Sequence, residues 1–172
     1  MAWILVPAIA ALAVTAAVLI RGGLLRLDRD AREAWDALAV QLGKRAELMT
    51  RIVELCGRLM RDEPETLERA RLATLAVLAA ISRADVPALA AAEEQHRAAA
   101  GDLLTVAGSY PQLASSTAFA ALAARMDELD ARVAARREQY NAAASVMNLR
   151  CGAFPHRLAA RAFGFRPAEL LP

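Results

Sequence analysis

Residues 24–59 read LLRLDRDAREAWDALAVQLGKRAELMTRIVELCGRL, and their spacing decides the fold. Leu24, Leu27, Ala31, Trp35, Leu38, Leu42, Leu48, Ile52, Leu55 and Leu59 recur every three or four residues, with one gap near Arg45. Arg32, Lys44, Glu47 and other charged residues fall mostly between them. This period winds an apolar stripe along one side of a helix, so the spacing predicts one long amphipathic helix over 24–61. Alanine, the best helix former, is abundant, and β-branched residues are sparse after position 20. The expected class is all-α.

Upstream, Met1–Ile20 contains no Asp, Glu, Lys, Arg or His. Trp3, Ile4, Leu5, Val6, Leu12, Val14, Val18, Leu19 and Ile20 make it apolar throughout. Twenty helical residues extend about 30 Å, the hydrocarbon thickness of a bilayer. A cleavable signal peptide would carry a basic segment ahead of a shorter apolar core. No Lys or Arg precedes this run, so residues 1–20 are expected to be an uncleaved transmembrane helix. Residues 21–23 are then a hinge at Gly22 and Gly23, or a continuous helix. Arg21, Arg26, Arg29 and Arg32 follow the span and place its C-terminal side in the cytoplasm, with the N-terminus outside.

Downstream, Asp62-Glu63-Pro64-Glu65 combines a cap, a first-turn proline and acids for the positive end of the helix dipole. It predicts a second helix from 64 to 83, broken or kinked at Asp85-Val86-Pro87 and resuming to about Val106. Gly108-Ser109-Tyr110-Pro111 is a loop. Ser115 and Ser116 cap a third helix to about Leu149, with a stripe of Phe119, Leu122, Met126, Leu129, Val133, Tyr140 and Met147. That stripe is interrupted at Arg136 and Arg137, where the run from Arg132 to Glu138 reads as a solvated face. A short helix over 155–162 follows. The whole predicts an antiparallel bundle over 24–168, three long helices plus a short C-terminal one with coiled-coil-like packing, and a tail at 169–172.

Twenty-one basic and nineteen acidic residues give a net charge of +2, which carries no nucleic-acid footprint. Cys56 and Cys151 have neither CxxC nor zinc spacing. Cys56 lies about 45 Å along the first helix from residue 26, whereas Cys151 falls on the returning helix. The two thiols are therefore not expected to pair.

Catalytic and metal signals are weak. Glu93 and His96 have the Glu-x-x-His spacing of di-metal bundles, but such a centre needs a second copy, and Ala153 stands three residues before His156. His96 reads as a solvated or capping residue. Glu93 and Glu94 are adjacent and point to different helix faces. Ser115-Ser116-Thr117 reads as a cap, and the glycines show no phosphate-binding spacing. No catalytic residue, metal, cofactor or small-molecule substrate is expected.

The C-terminal stretch carries an ordered set of motifs: Tyr140-Asn141, Asn148, Phe154-Pro155, Ala159-Ala160, Phe163-Gly164-Phe165 and Pro167. With Ala34-Trp35, Val40-Gln41-Leu42, Lys44-Arg45 and Val53-Glu54 ahead of them, and Leu103-Leu104, Tyr110-Pro111 and Phe119 between, these resemble the LemA family over about 24–168. Met147 stands where the family has an aromatic, Thr50-Arg51 where it has Pro-Asn, and Gly108 where it has an acid. The resemblance implies a bacterial single-span protein of the cytoplasmic membrane, a long helical bundle and no established enzymatic activity. Some relatives take part in magnetosome formation.

Trp35, Gln41, Tyr140, Asn141, Asn148, Phe154, Pro155, Phe163, Gly164, Phe165 and Pro167 are the candidate interaction or structural positions. Tyr140 and Asn141 are expected to support the turn into the tail. For Phe154, Phe163 and Phe165, core packing stands against a foot in the lipid interface with Arg157, Arg161 and Arg166 towards head groups. The expected function is a non-enzymatic membrane scaffold or adaptor, whose partners are the membrane and an unidentified protein, a second copy included. A transmembrane signalling input module and a hydrolase using Glu93, Glu94 and His96 are the alternatives.

Overall fold

The computed structural model describes the backbone from Ala2 to Pro172 and the side chains of residues 11, 12 and 14–172. Six helices follow in order: α1 (Ala2–Gly57), α2 (Pro64–Arg83), α3 (Val86–Gly108), α4 (Pro111–Ala114), α5 (Thr117–Gly152) and α6 (His156–Phe163). No strand occurs among the described residues, and the chain is all-α. α1 is helical through Gly22 and Gly23. Trp3, Ile4, Leu5 and Val6, expected in the anchor, lie outside the described side chains. Leu12, Val14, Val18 and Leu19 are described and exposed. Ile20 is partly buried against Leu24 and its neighbours. Among the described residues no helix is long and apolar enough to cross a membrane.

The chain divides into two compact units. The first, Met1–Trp35 with Gln139–Leu170, pairs the N-terminal part of α1 with the C-terminal part of α5, plus α6 and most of the tail. Its small core is Leu24, Ala31, Met147, Cys151 and Ala160, with Leu27, Ala143 and Phe165 packed against it. The second, Asp36–Glu138 with Leu171–Pro172, is a bundle of four long helical segments plus the short α4. Met49, Ile52, Cys56 and Met60 of α1 meet Ala70 and Ala73 of α2, Ala99, Leu103 and Ala107 of α3, Leu113 of α4, and Met126 and Leu129 of α5. Small alanines on α2 and α3 let those two helices pack closely. Full burial of Ile52 or Leu103 contributes about 1.5–3 kcal/mol each.

The expected break or kink at Asp85-Val86-Pro87 is a break and a full reversal, so α2 and α3 form a hairpin. Ala84 takes the left-handed conformation (φ 50°, ψ 40°). Its N–H donates to Ile81 O (3.0 Å) and that of Asp85 to Ala80 O (3.1 Å), a Schellman closure of α2. Asp85 then caps α3 by accepting from Ala88 N at 2.9 Å. The hairpin returns antiparallel, with Arg69 of α2 bonded to Asp102 of α3 at 3.1 Å. The bundle therefore contains four long segments rather than three.

Two helix ends also differ, and one cap is as expected. α1 ends at Gly57 because the N–H groups of Leu59 and Met60 both turn back to Cys56 O (2.9 and 2.7 Å). Met60 is thereby buried and Leu59 left exposed, outside the core stripe. Glu63, not Asp62, stands at the N-cap of α2 and makes no side-chain cap bond. At α5, Ser116 Oγ accepts from Phe119 N (3.3 Å), as its cap role requires. Cys56 and Cys151 are both free and buried, in the cores of different units. Burial pushes the Cys56 thiol up to about 11, which leaves it inert at neutral pH.

Candidate functional site

In the four-helix unit, the gaps in the apolar stripes converge on one polar layer. Arg45 of α1 donates through Nη2 to Glu93 Oε1 (2.7 Å) and through Nη1 to Asp130 Oδ1 (3.2 Å). Arg137 of α5 donates to the other oxygen, Glu93 Oε2, at 2.6 Å. Glu93 and Arg45 are buried, and the Arg137 side chain is only a quarter exposed. One carboxylate thus joins α1, α3 and α5 through two guanidinium groups. Such a layer adds little net stability over an apolar one, but removing one partner strands a buried charge. It also fixes helix register, because only one alignment satisfies all the charges.

His96 lies one turn along α3 from Glu93 and is buried, not solvated or capping. Burial, reinforced by the Arg45 charge and opposed by Glu93, pushes the imidazole down to about 4, so it is neutral at pH 7. Its Nε2 has no hydrogen-bond partner. A cavity of about 370 Å³ opens beside it, lined among others by Arg45, Leu104, Met126 and Asp130. Glu94 is exposed and pairs with Arg97, so the adjacent glutamates do serve different faces. The reading of Arg136–Arg137 as wholly solvated is corrected for Arg137. The signal was present in the spacing: Arg45, Glu93 and Arg137 each occupy a core position of their own stripe.

The first unit is built around the signature residues. Trp35 meets Tyr140 edge-to-face, with centroids 5.5 Å apart. The Tyr140 hydroxyl donates to Glu169 O at 2.7 Å. Asn148 holds the tail twice, donating to Ala168 O (2.8 Å) and accepting from Ala168 N (2.7 Å). The side-chain amide stands in for a strand partner. α6 closes on Gly164 at φ 75°, and Phe165 N returns to Ala160 O (2.9 Å), which turns Phe165 into the core. A side chain at 164 would be strained in that conformation. Asn141 is half-buried, and Pro155 and Pro167 are exposed. Gln41 belongs to the four-helix unit, where its Oε1 is buried without a partner.

The three tail phenylalanines part company. Phe165 packs on the core. Phe163 is about half exposed, and its ring carries the Arg21 guanidinium at 5.4 Å. Phe154, for which core packing was one expectation, is 84% exposed. Leu149 and Leu158 are exposed beside it in the chain, interleaved with Arg150, Arg157 and Arg161. A monomer in water gains nothing from large apolar groups set this way, whereas an interface of lipid or protein does. Among the described residues no group of three or more His, Cys, Asp and Glu side chains is placed to share a metal ion.

No curated protein sequence matches the chain. The LemA family profile matches residues 34–172, from the Trp35 motif to the last tail residue fastened by Arg137. With four fifths of its length matched, the chain belongs to the LemA family.

Proposed function

We propose that this protein is a membrane-anchored, non-enzymatic scaffold or adaptor: the start of α1 crosses the bacterial cytoplasmic membrane, N-terminus outside, and the helical units lie in the cytoplasm. One observation carries the reading. Leu12, Val14, Val18 and Leu19 are exposed by 72, 63, 64 and 71% on the part of α1 that precedes its first charge at Arg21. Helical residues so apolar and so uncovered find their low-energy surroundings in lipid. Protein contact is supported by a second surface: Leu72, Leu75 and Leu78 are exposed on α2 at intervals of three. The non-enzymatic part is supported by Glu93, which commits both carboxylate oxygens to arginines.

Alkaline carbonate extraction of cell membranes tests the anchor. The full chain is expected to stay in the membrane pellet, and a chain begun at Leu24 to be released. Release of the full chain would contradict the reading. Crosslinking in intact cells then identifies the partner, and loss of the crosslinked product on Leu75→Glu would locate it on α2.

A further inference from the structure

α1 leaves its apolar stretch at Arg21, and the first unit builds a cavity of about 500 Å³ there. Arg21, Arg32 and Arg166 line it, with Asp28, Leu25 and Phe163. Arg32 is already engaged, its Nε 3.0 Å from Asp28 Oδ2. Arg21 and Arg166 have no acidic partner among the described residues. The cavity therefore holds two uncompensated guanidinium groups. Arg21 is moreover steadied over the Phe163 ring, which lowers the cost of ordering a long side chain. Leu25 and Phe163 leave apolar surface exposed in the same lining, 45 and 43%.

We propose that this cavity binds the head group of an anionic phospholipid, with the phosphodiester between Arg21 and Arg166. The chemistry matches at three points. Planar guanidinium forks bind phosphate oxygens in pairs. The exposed Leu25 and Phe163 suit the glycerol end of the acyl chains. Arg21 directly follows the apolar run, at the depth where phosphates lie if α1 spans the bilayer. The inference rests on the membrane reading and deepens it: the first unit would recognise lipid charge rather than merely sit beside it.

Native mass spectrometry of the full chain in neutral detergent tests the site, using dihexanoylphosphatidylglycerol, dihexanoylphosphatidylcholine and inorganic phosphate as probes. Phosphatidylglycerol should be retained about tenfold or more over phosphatidylcholine, and equimolar phosphate should not displace it. Arg21→Gln with Arg166→Gln should weaken retention about twenty-five-fold, about fivefold per arginine. The charge-matched pair Arg58→Gln with Arg83→Gln, both exposed in the four-helix unit, should change it less than about twofold. Equal loss in both variants would mean diffuse attraction and overturn the site, as would equal retention of the two lipids. Displacement by phosphate would show a free-anion site and overturn the lipid assignment. Flotation of the full chain with phosphatidylcholine vesicles separates the two claims. Failure to float sinks the anchor, whereas flotation without phosphatidylglycerol preference sinks only the cavity proposal.

Discussion

The two units solve the same problem, two or more amphipathic helices in water, with different completeness. The four-helix unit buries a core to which all its helices contribute, leaves Leu72, Leu75 and Leu78 exposed on α2, and affords a charged layer inside, Arg45–Glu93–Arg137. The paired-helix unit closes around seven buried residues among those described and leaves Phe154, Leu158 and Leu149 uncovered, with Leu12, Val14, Val18 and Leu19 of α1. A core can carry buried charge only where several helices supply partners. A helix pair cannot cover itself, so its remaining apolar surface has to be covered by something else. Under the proposed function, the four-helix unit supplies stability and the paired-helix unit attachment.

The largest way to disturb that division is Glu93→Ala. It strands Arg137 without its carboxylate, leaves Arg45 only Asp130, and should destabilise the four-helix unit by about 3–5 kcal/mol, read as a lowered denaturant midpoint. A loss under about 1 kcal/mol would show that the layer is solvated in solution.

Next comes acid. The folded His96 titrates near 4, below the 6.5 of the unfolded chain. The unfolded state therefore binds the extra proton between these values. Stability is whole above pH 6.5 and should fall by about 3 kcal/mol as pH drops towards 4. His96→Leu should flatten this slope in pH-dependent unfolding; an unchanged slope would assign it to other groups.

Asn148→Ala loses both tail bonds and should cost about 1–3 kcal/mol, confined to the first unit. Hydrogen exchange should quicken at Ala168 while amides of α3 stay protected. Smallest is Phe154→Ser, expected within about 0.5 kcal/mol by thermal unfolding because the ring is almost wholly exposed. A larger loss would mean that Phe154 packs in solution.

Much of this was legible beforehand. The three-four spacing of Leu24 to Ile52 and of Met126 to Met147 revealed helices, and the Tyr-Asn, Asn and Phe-Gly-Phe motifs pointed to the family. Other features were hidden for physical reasons. The turn between α2 and α3 runs through a left-handed alanine, and without a glycine Asp85-Val86-Pro87 reads as a break or kink rather than a reversal. At the end of α6 the same closure uses Gly164 and is plain. The charged layer was hidden because a polar residue in one stripe reads as solvated. Only three such gaps at the same level of a bundle become an ion-pair network. Phe154 and Phe165 are the same residue type eleven positions apart, yet one is exposed and the other packed, which only the turn at Gly164 decides.

The most direct test is depth. Single spin labels at Leu12, Leu19, Phe154, Leu158, Leu72 and Leu75 of the full chain, in phosphatidylglycerol-containing vesicles, report their distance from the bilayer centre by oxygen and nickel relaxation. Leu12 and Leu19 are expected within the hydrocarbon, Phe154 and Leu158 at the head groups, and Leu72 and Leu75 in water. Water exposure of all six would contradict the division of labour between the units, and with it the membrane anchor.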